Sequence, residues 1–132
     1  MKALDTNAVV RFLVKDDEKQ AHAIHRILLD VEKKGETLFV PAPVILETIW
    51  VLSSVYKRVR GDIVRALEHL LALPILEVEA RDRIAVLCRI ADKSDVDLAD
   101  LFIGLTSRDY GCETTLTFDR KASKSAFFTL IA

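Results

Sequence analysis

Glycine and proline are scarce in this chain, at 4 and 3 of 132 residues. That excludes a collagen-like or linker-rich protein and leaves few forced helix breaks. The 2 cysteines, Cys88 and Cys112, have no CxxC spacing and no nearby histidine pattern. A disulfide-stapled scaffold and a zinc site are thereby excluded, and the apolar neighbours of both predict reduced core thiols. Charge of one sign is lacking too: 19 basic and 20 acidic residues leave a formal net charge of −1. Bulk electrostatics therefore gives no support to a nucleic-acid binder, although a local basic patch could still serve. No apolar run approaches the ~20 residues that span a membrane. No signal-peptide core follows Met1-Lys2-Ala3-Leu4-Asp5, so the expectation is a cytoplasmic protein without membrane contact. A Gly-rich phosphate loop is missing, which argues against ATP use.

What is present is apolar material, 51% of the chain. That suffices for one packed core and predicts a single domain over residues 1–132. Lys2-Ala3-Leu4 reads as a short first strand, followed by a short helix through Val14. Helical apolar spacing then runs from Ala21 to Lys34, stopped by Gly35. Thr37–Val40 is a second strand, and Pro43 suits the first turn of an apolar helix from Val44 to Lys57. Gly61 breaks the pattern, and Asp62 is placed to cap a helix through Leu73. Ile75–Val78 is a third strand and Arg81–Asp92 a helix. Another helix is expected from Ser94-Asp95 to Tyr110, closed by Gly111. Thr114–Phe118 is a fourth strand, and Phe127–Ile131 is left open as a fifth.

Alternating strands and helices imply a parallel sheet with helices on both faces. Right-handed crossovers put the carboxyl ends of such strands along one edge, where sites form. Acids at strand ends therefore stand out. Asp5 ends the first strand, as a helix cap or as a carboxylate projecting from the sheet edge. Asp119 ends the fourth, as a turn residue or as a second such carboxylate. Glu47 interrupts the apolar run Val44-Ile45-Leu46-Glu47-Thr48-Ile49-Trp50; it is costly if it faces the core unpaired, and ordinary if it shares a solvent stripe with Ser54. Asp97 and Asp100 share one face near a helix start, where dipole complementation is the plain reading. Asp100 comes late for a cap. Carboxylates gathered together repel unless a cation neutralises them, and an all-oxygen set favours Mg²⁺ or Mn²⁺ over zinc.

Leu4-Asp5-Thr6-Asn7, Val44-Ile45-Leu46-Glu47, Asp97-Leu98-Ala99-Asp100-Leu101 and Leu116-Thr117-Phe118-Asp119-Arg120 resemble, in order and spacing, the four acidic motifs of PIN domains. The resemblance covers nearly the whole chain. It implies a three-layer α/β/α sandwich with a central parallel sheet of four to five strands. It also implies a Mg²⁺- or Mn²⁺-dependent endoribonuclease. Asp5, Glu47, Asp100 and Asp119 would be its catalytic and metal-holding acids, supported by Thr6, Asn7, Asp97 and Thr117. The short chain without appended domains looks most like the VapC toxins, which implies an RNA substrate, a homodimer and a VapB-type antitoxin. The apolar helix around Ile49, Trp50 and Leu52 is then a place for either protein contact. One departure is the continuation Lys121-Ala122-Ser123-Lys124-Ser125 after Arg120, where an acidic or aromatic run is often seen.

RNA would need basic clusters. One comprises Lys57, Arg58, Arg60 and Arg65, the other Arg108, Arg120, Lys121 and Lys124; Arg58, Arg60, Arg120 and Lys121 are the candidates for substrate contact. Rival readings are an RNA-processing PIN nuclease that is no toxin and a non-catalytic module of the same fold. A haloacid-dehalogenase-type phosphatase would need an acid where Asn7 stands, and a receiver domain would need a second acid beside Asp5. His22, His25 and His69 read as surface or boundary residues, with no third ligand and no nucleophile in view.

Overall fold

The computed structural model describes residues 1–132. They form two compact units, Met1–Arg81 and Asp82–Ala132.

The first unit runs β1 (Lys2–Ala3), α1 (Thr6–Val14), α2 (Glu18–Lys33), β2 (Leu38–Val40), α3 (Ala42–Ser54), α4 (Arg60–Ala72) and β3 (Leu76–Val78). Its strands lie in the order β1-β2-β3, all parallel, with Lys2 opposite Leu38 and Leu38 opposite Leu76. Helix α2 starts ahead of its first apolar repeat because the Asp17 carboxylate accepts the Gln20 N–H at 3.0 Å. It ends where Gly35 takes φ +66°, a conformation that suits a residue without Cβ. Helix α3 follows Pro41, which has no capping side chain. Glu79, just past β3, supplies the missing acceptor to the Ala42 N–H at 2.7 Å.

Helix α3 is less uniformly apolar in space than in sequence. Val44, Ile45, Thr48, Ile49 and Leu52 are buried, while Glu47, Trp50 and Ser54 form an exposed stripe. Ile49 and Leu52 are therefore core residues rather than partner contacts, and Trp50, 60% exposed, is the part of that expectation left at the surface. The helix stops at Ser54, short of Lys57, which sits at φ 55°. Helix α4 begins at Arg60, so Gly61 lies inside it and Asp62 does not cap it; Asp62 pairs with Arg65 one turn on. A glycine costs little in a first turn, and an acid there complements the helix dipole without capping. The ends of α1 and α3 are clasped together. Arg11 Nη1 donates to Tyr56 Oη at 2.8 Å and to Asp16 at 3.1 Å, and Tyr56 Oη donates to the other Asp16 oxygen at 2.9 Å.

The second unit contains α5 (Arg81–Ile90, its first residue at the boundary), a 3-10 turn (Ala91–Lys93), α6 (Leu98–Tyr110), β4 (Thr115–Thr117), a second 3-10 turn (Ala122–Lys124) and β5 (Phe128–Leu130). Strands β4 and β5 pair in parallel, Thr115 opposite Phe128, so the final segment is a strand. All five strands are thus present and every pairing is parallel, hydrogen-bonded as a group of three and a group of two. Helix α6 begins at Leu98 and not at Ser94, because the Ser94 hydroxyl accepts the Val96 N–H at 3.1 Å and closes a turn instead. Both cysteines are free thiols, but Cys112 is exposed and only Cys88 is half-buried. Cys112 follows the left-handed cap Gly111, where the chain leaves its helix at the surface. No helix is long and apolar enough to cross a membrane.

Gly104 marks the tightest approach in this unit. A Cβ there would stand 2.7 Å from Phe127 Cβ and 3.0 Å from Phe128 Cε2. In an open helix, Gly→Ala stabilises by about 1 kcal/mol. Here overpacking reverses the sign, and Gly104→Ala should cost about 1–3 kcal/mol in urea unfolding. A gain in stability would show that α6 has room beside Phe127.

Candidate active site

Asp5 sits between β1 and α1, with extended backbone at φ −89° and ψ 179°. One carboxylate oxygen, Oδ1, accepts the Ala8 N–H at 2.9 Å, so Asp5 is the helix cap that its position allowed. Oδ2 makes no hydrogen bond within the protein. A capping acid of this kind keeps one oxygen pinned and the other open.

Glu47 lies on the exposed stripe of α3 with Trp50 and Ser54. It is not loose there: Thr6 Oγ1 donates to its Oε1 at 2.8 Å, across 41 residues of sequence. The first turn of α1 thus carries the capping Asp5 and the hydroxyl that steers Glu47. Asn7, in the same turn, is exposed and its side chain makes no hydrogen bond.

Asp97, Asp100 and Asp119 belong to the second unit. Asp97 occupies the N-cap position of α6, yet its side chain caps nothing. Asp100, in the first turn, is half-buried. Burial, then the charges of Asp97 and Asp119, hold the Asp100 carboxyl above the usual carboxylate range. Asp119 repeats the device seen at Asp5. Its Oδ1 accepts the N–H groups of Lys121 at 2.8 Å and Ala122 at 3.2 Å, while Thr117 Oγ1 accepts the Asp119 N–H at 2.9 Å. The hydroxyl two residues before the acid sets its backbone.

These donors are all oxygen, and the charges of Asp97 and Asp119 add to burial in disfavouring the ionised form of Asp100. That is the donor chemistry and the electrostatic imbalance a hard divalent cation relieves, so the residues fit Mg²⁺ or Mn²⁺. Their side chains are not drawn up around a centre: no three of the His, Cys, Asp and Glu side chains converge into a metal-holding group.

Among the basic candidates, Arg58 is exposed and Arg60 is half-buried at the start of α4. Arg65 is spent on Asp62, and Arg108 lies over the Phe127 ring at 5.0 Å. Arg120 and Lys121 are exposed on the turn after β4. The histidines stay outside any site; His22 and His25 are exposed, and His69 stacks on Phe12 at 5.5 Å. Sequence reasoning placed Thr6 beside the acids but gave no sign that it reaches Glu47, because nothing local links positions 41 residues apart.

Comparison with known proteins gives this arrangement a lineage. The PIN domain family model matches residues 2–127. A VapC ribonuclease of Aquifex aeolicus (strain VF5) is 30% identical over 130 residues, covering 98% of this chain and 96% of that protein. The family model leaves almost nothing of the chain outside it, and the chain belongs to the PIN-domain family.

Proposed function

We propose that this chain is an endoribonuclease that hydrolyses RNA phosphodiester bonds, and that it is the toxin of a VapBC-type pair, held in check by a VapB-type antitoxin. The observation that carries the reading is the acidic set itself: Asp5, Glu47, Asp100 and Asp119 fall within the matched residues 2–127, in a chain related over its whole length to a VapC ribonuclease. On this reading the chain acts as a single PIN domain over residues 1–132, in the cytoplasm and as a homodimer.

Asp5, Asp100 and Asp119 would hold a Mg²⁺ or Mn²⁺ ion, with Glu47 as ligand or as the group that orients the attacking water, and Asp97 as an outer acid. When bound, such an ion supplies the charge that lowers the pKa of water and offsets charge on the phosphoryl oxygens. The chain's own residues do the rest. Capping bonds to Ala8, Lys121 and Ala122 fix the direction of Asp5 and Asp119 while leaving each an open oxygen. The Thr6 hydroxyl holds one Glu47 oxygen, which would leave the other to orient the attacking water. Water adds in line at phosphorus, the bond to the leaving ribose oxygen breaks, and that oxygen takes up a proton.

Three outcomes test this. The wild type should cut a mixed panel of single-stranded and structured RNA with Mg²⁺ or Mn²⁺ and stop with EDTA, and Asp5→Asn should lose most of that activity with an unchanged circular dichroism spectrum. Undiminished cleavage by Asp5→Asn would overturn the assignment. Thr6→Val should keep the fold and lower kcat by about 10- to 100-fold, the usual cost of removing a partner that orients a ligand; Thr6→Ser should recover most of it. The third outcome is a stability effect. Because the Asp100 carboxyl titrates above its unfolded value, its contribution is present at acid pH and is lost as pH rises through the folded-state pKa. Asp100→Asn should therefore raise the metal-free Tm at pH 7, with the difference closing below about pH 4, where the unfolded carboxyl is also protonated. Added Mg²⁺ should raise the Tm of the wild type more than that of Asp100→Asn.

A further inference from the structure

A cavity of about 550 Å³ opens in the second unit beside the 3-10 turn that follows Asp119, lined by Lys93, Ser94, Asp95, Val96, Arg120, Lys121 and Lys124. Four cations face one acid. The sequence grouped Arg120, Lys121 and Lys124 with Arg108. In the fold Arg108 is occupied by Phe127, and Lys93, from the turn after α5, takes its place.

The state of these cations sets the cavity apart. Arg11, Lys34, Arg65 and Arg83 are each paired with a carboxylate. None of Lys93, Arg120, Lys121 and Lys124 has an ion pair or a side-chain hydrogen bond, although Asp95 lines the same cavity. Four cations beside a single acid leave an excess of positive charge that an external anion would offset. The position of the cavity narrows the anion. Arg120 and Lys121 follow Asp119 directly, so their Cα atoms lie within about 7 Å of its own. Backbone N–H groups of Lys121 and Ala122 hold the Asp119 carboxylate, so the turn that aims the acid also carries the cations.

We infer that this cavity is a subsite for the RNA backbone, seating the phosphate about one nucleotide from the bond cut at the acids, with Lys93, Arg120, Lys121 and Lys124 as its contacts. The inference rests on the ribonuclease reading for the cut itself, but not for binding. A diffuse basic surface would attract RNA in any register. A concave cluster tied to Asp119 by two residues favours one, and so makes the flanking nucleotide part of the substrate.

The test uses Lys93→Gln/Lys124→Gln, which leaves Arg120, Lys121 and the Asp119 turn intact, beside Lys19→Gln/Lys33→Gln as a control of equal charge change on α2. Binding of a fluorescent single-stranded oligoribonucleotide is measured against salt in an Asp5→Asn background. Each phosphate contact to a single strand contributes about 0.7 to the slope of log K against log[salt], so the cavity variant should lose about 1.4 and the control should stay near the parent. Cleavage is then followed on oligonucleotides shortened one nucleotide at a time from each end. The wild type should show a rise in KM at one flanking nucleotide, and that step should vanish in the cavity variant while kcat on the shortest substrate is unchanged. An unaltered salt slope, or equal losses in variant and control, overturns the subsite. Absence of cleavage by the wild type with any metal, together with the predicted loss of slope, would overturn the nuclease reading and leave the subsite standing.

Discussion

Strands of two or three residues carry too few ladder hydrogen bonds to hold a sheet, so the helices packed on these strands must hold them in register. Every strand here is that short. Leu38, Val40, Leu76 and Val78 are buried, as are the helical residues Ile45, Ile49, Leu67 and Leu70 of the same unit, and burial of this apolar surface adds what the short ladders lack. The short strand has a chemical consequence. The chain turns out of the sheet within a residue or two of its buried positions, so the next side chain emerges at the edge with the following helix start close by.

Three acids occupy such places, and all three satisfy N–H groups at the start of a helix or turn. Asp5 does so for α1, Asp119 for the turn after β4, and Glu79 for α3, which begins at a proline and has no cap of its own. A cap and a proposed catalytic carboxylate are therefore the same kind of residue in this architecture. In each of them one carboxylate oxygen serves the backbone. What separates Asp119 from Glu79 is company: Asp119 bears on Asp100, with Asp97 adding to the same field.

This explains how far the sequence could be read. Alternating periodicities located the strands and helices, since buried faces must repeat at 2 or 3.6 residues. Starts were missed where capping came from elsewhere or was absent, as at Arg60 and Leu98. Helix α3 looked apolar all round because Trp50 is apolar yet exposed. The four acids stood out because Asp5 and Asp119 end strands and Glu47 and Asp100 sit in apolar helical runs. The hydroxyl of Thr6 on Glu47, and the replacement of Arg108 by Lys93 beside Arg120, depend on contacts between distant positions that no local pattern encodes.

The clasp of Arg11, Asp16 and Tyr56 has a mechanical meaning. Helices α1 and α3 are joined at one end by Thr6 and Glu47 and at the other by Arg11 and Tyr56. A single tie between two rods leaves a pivot; two ties a turn or more apart remove it. Glu47 cannot roll about the axis of α3 without dragging α1, and with it Asp5, in the same sense. The spacing of Asp5 and Glu47 thus rests on the bonds among Arg11, Asp16 and Tyr56 as well as on Thr6.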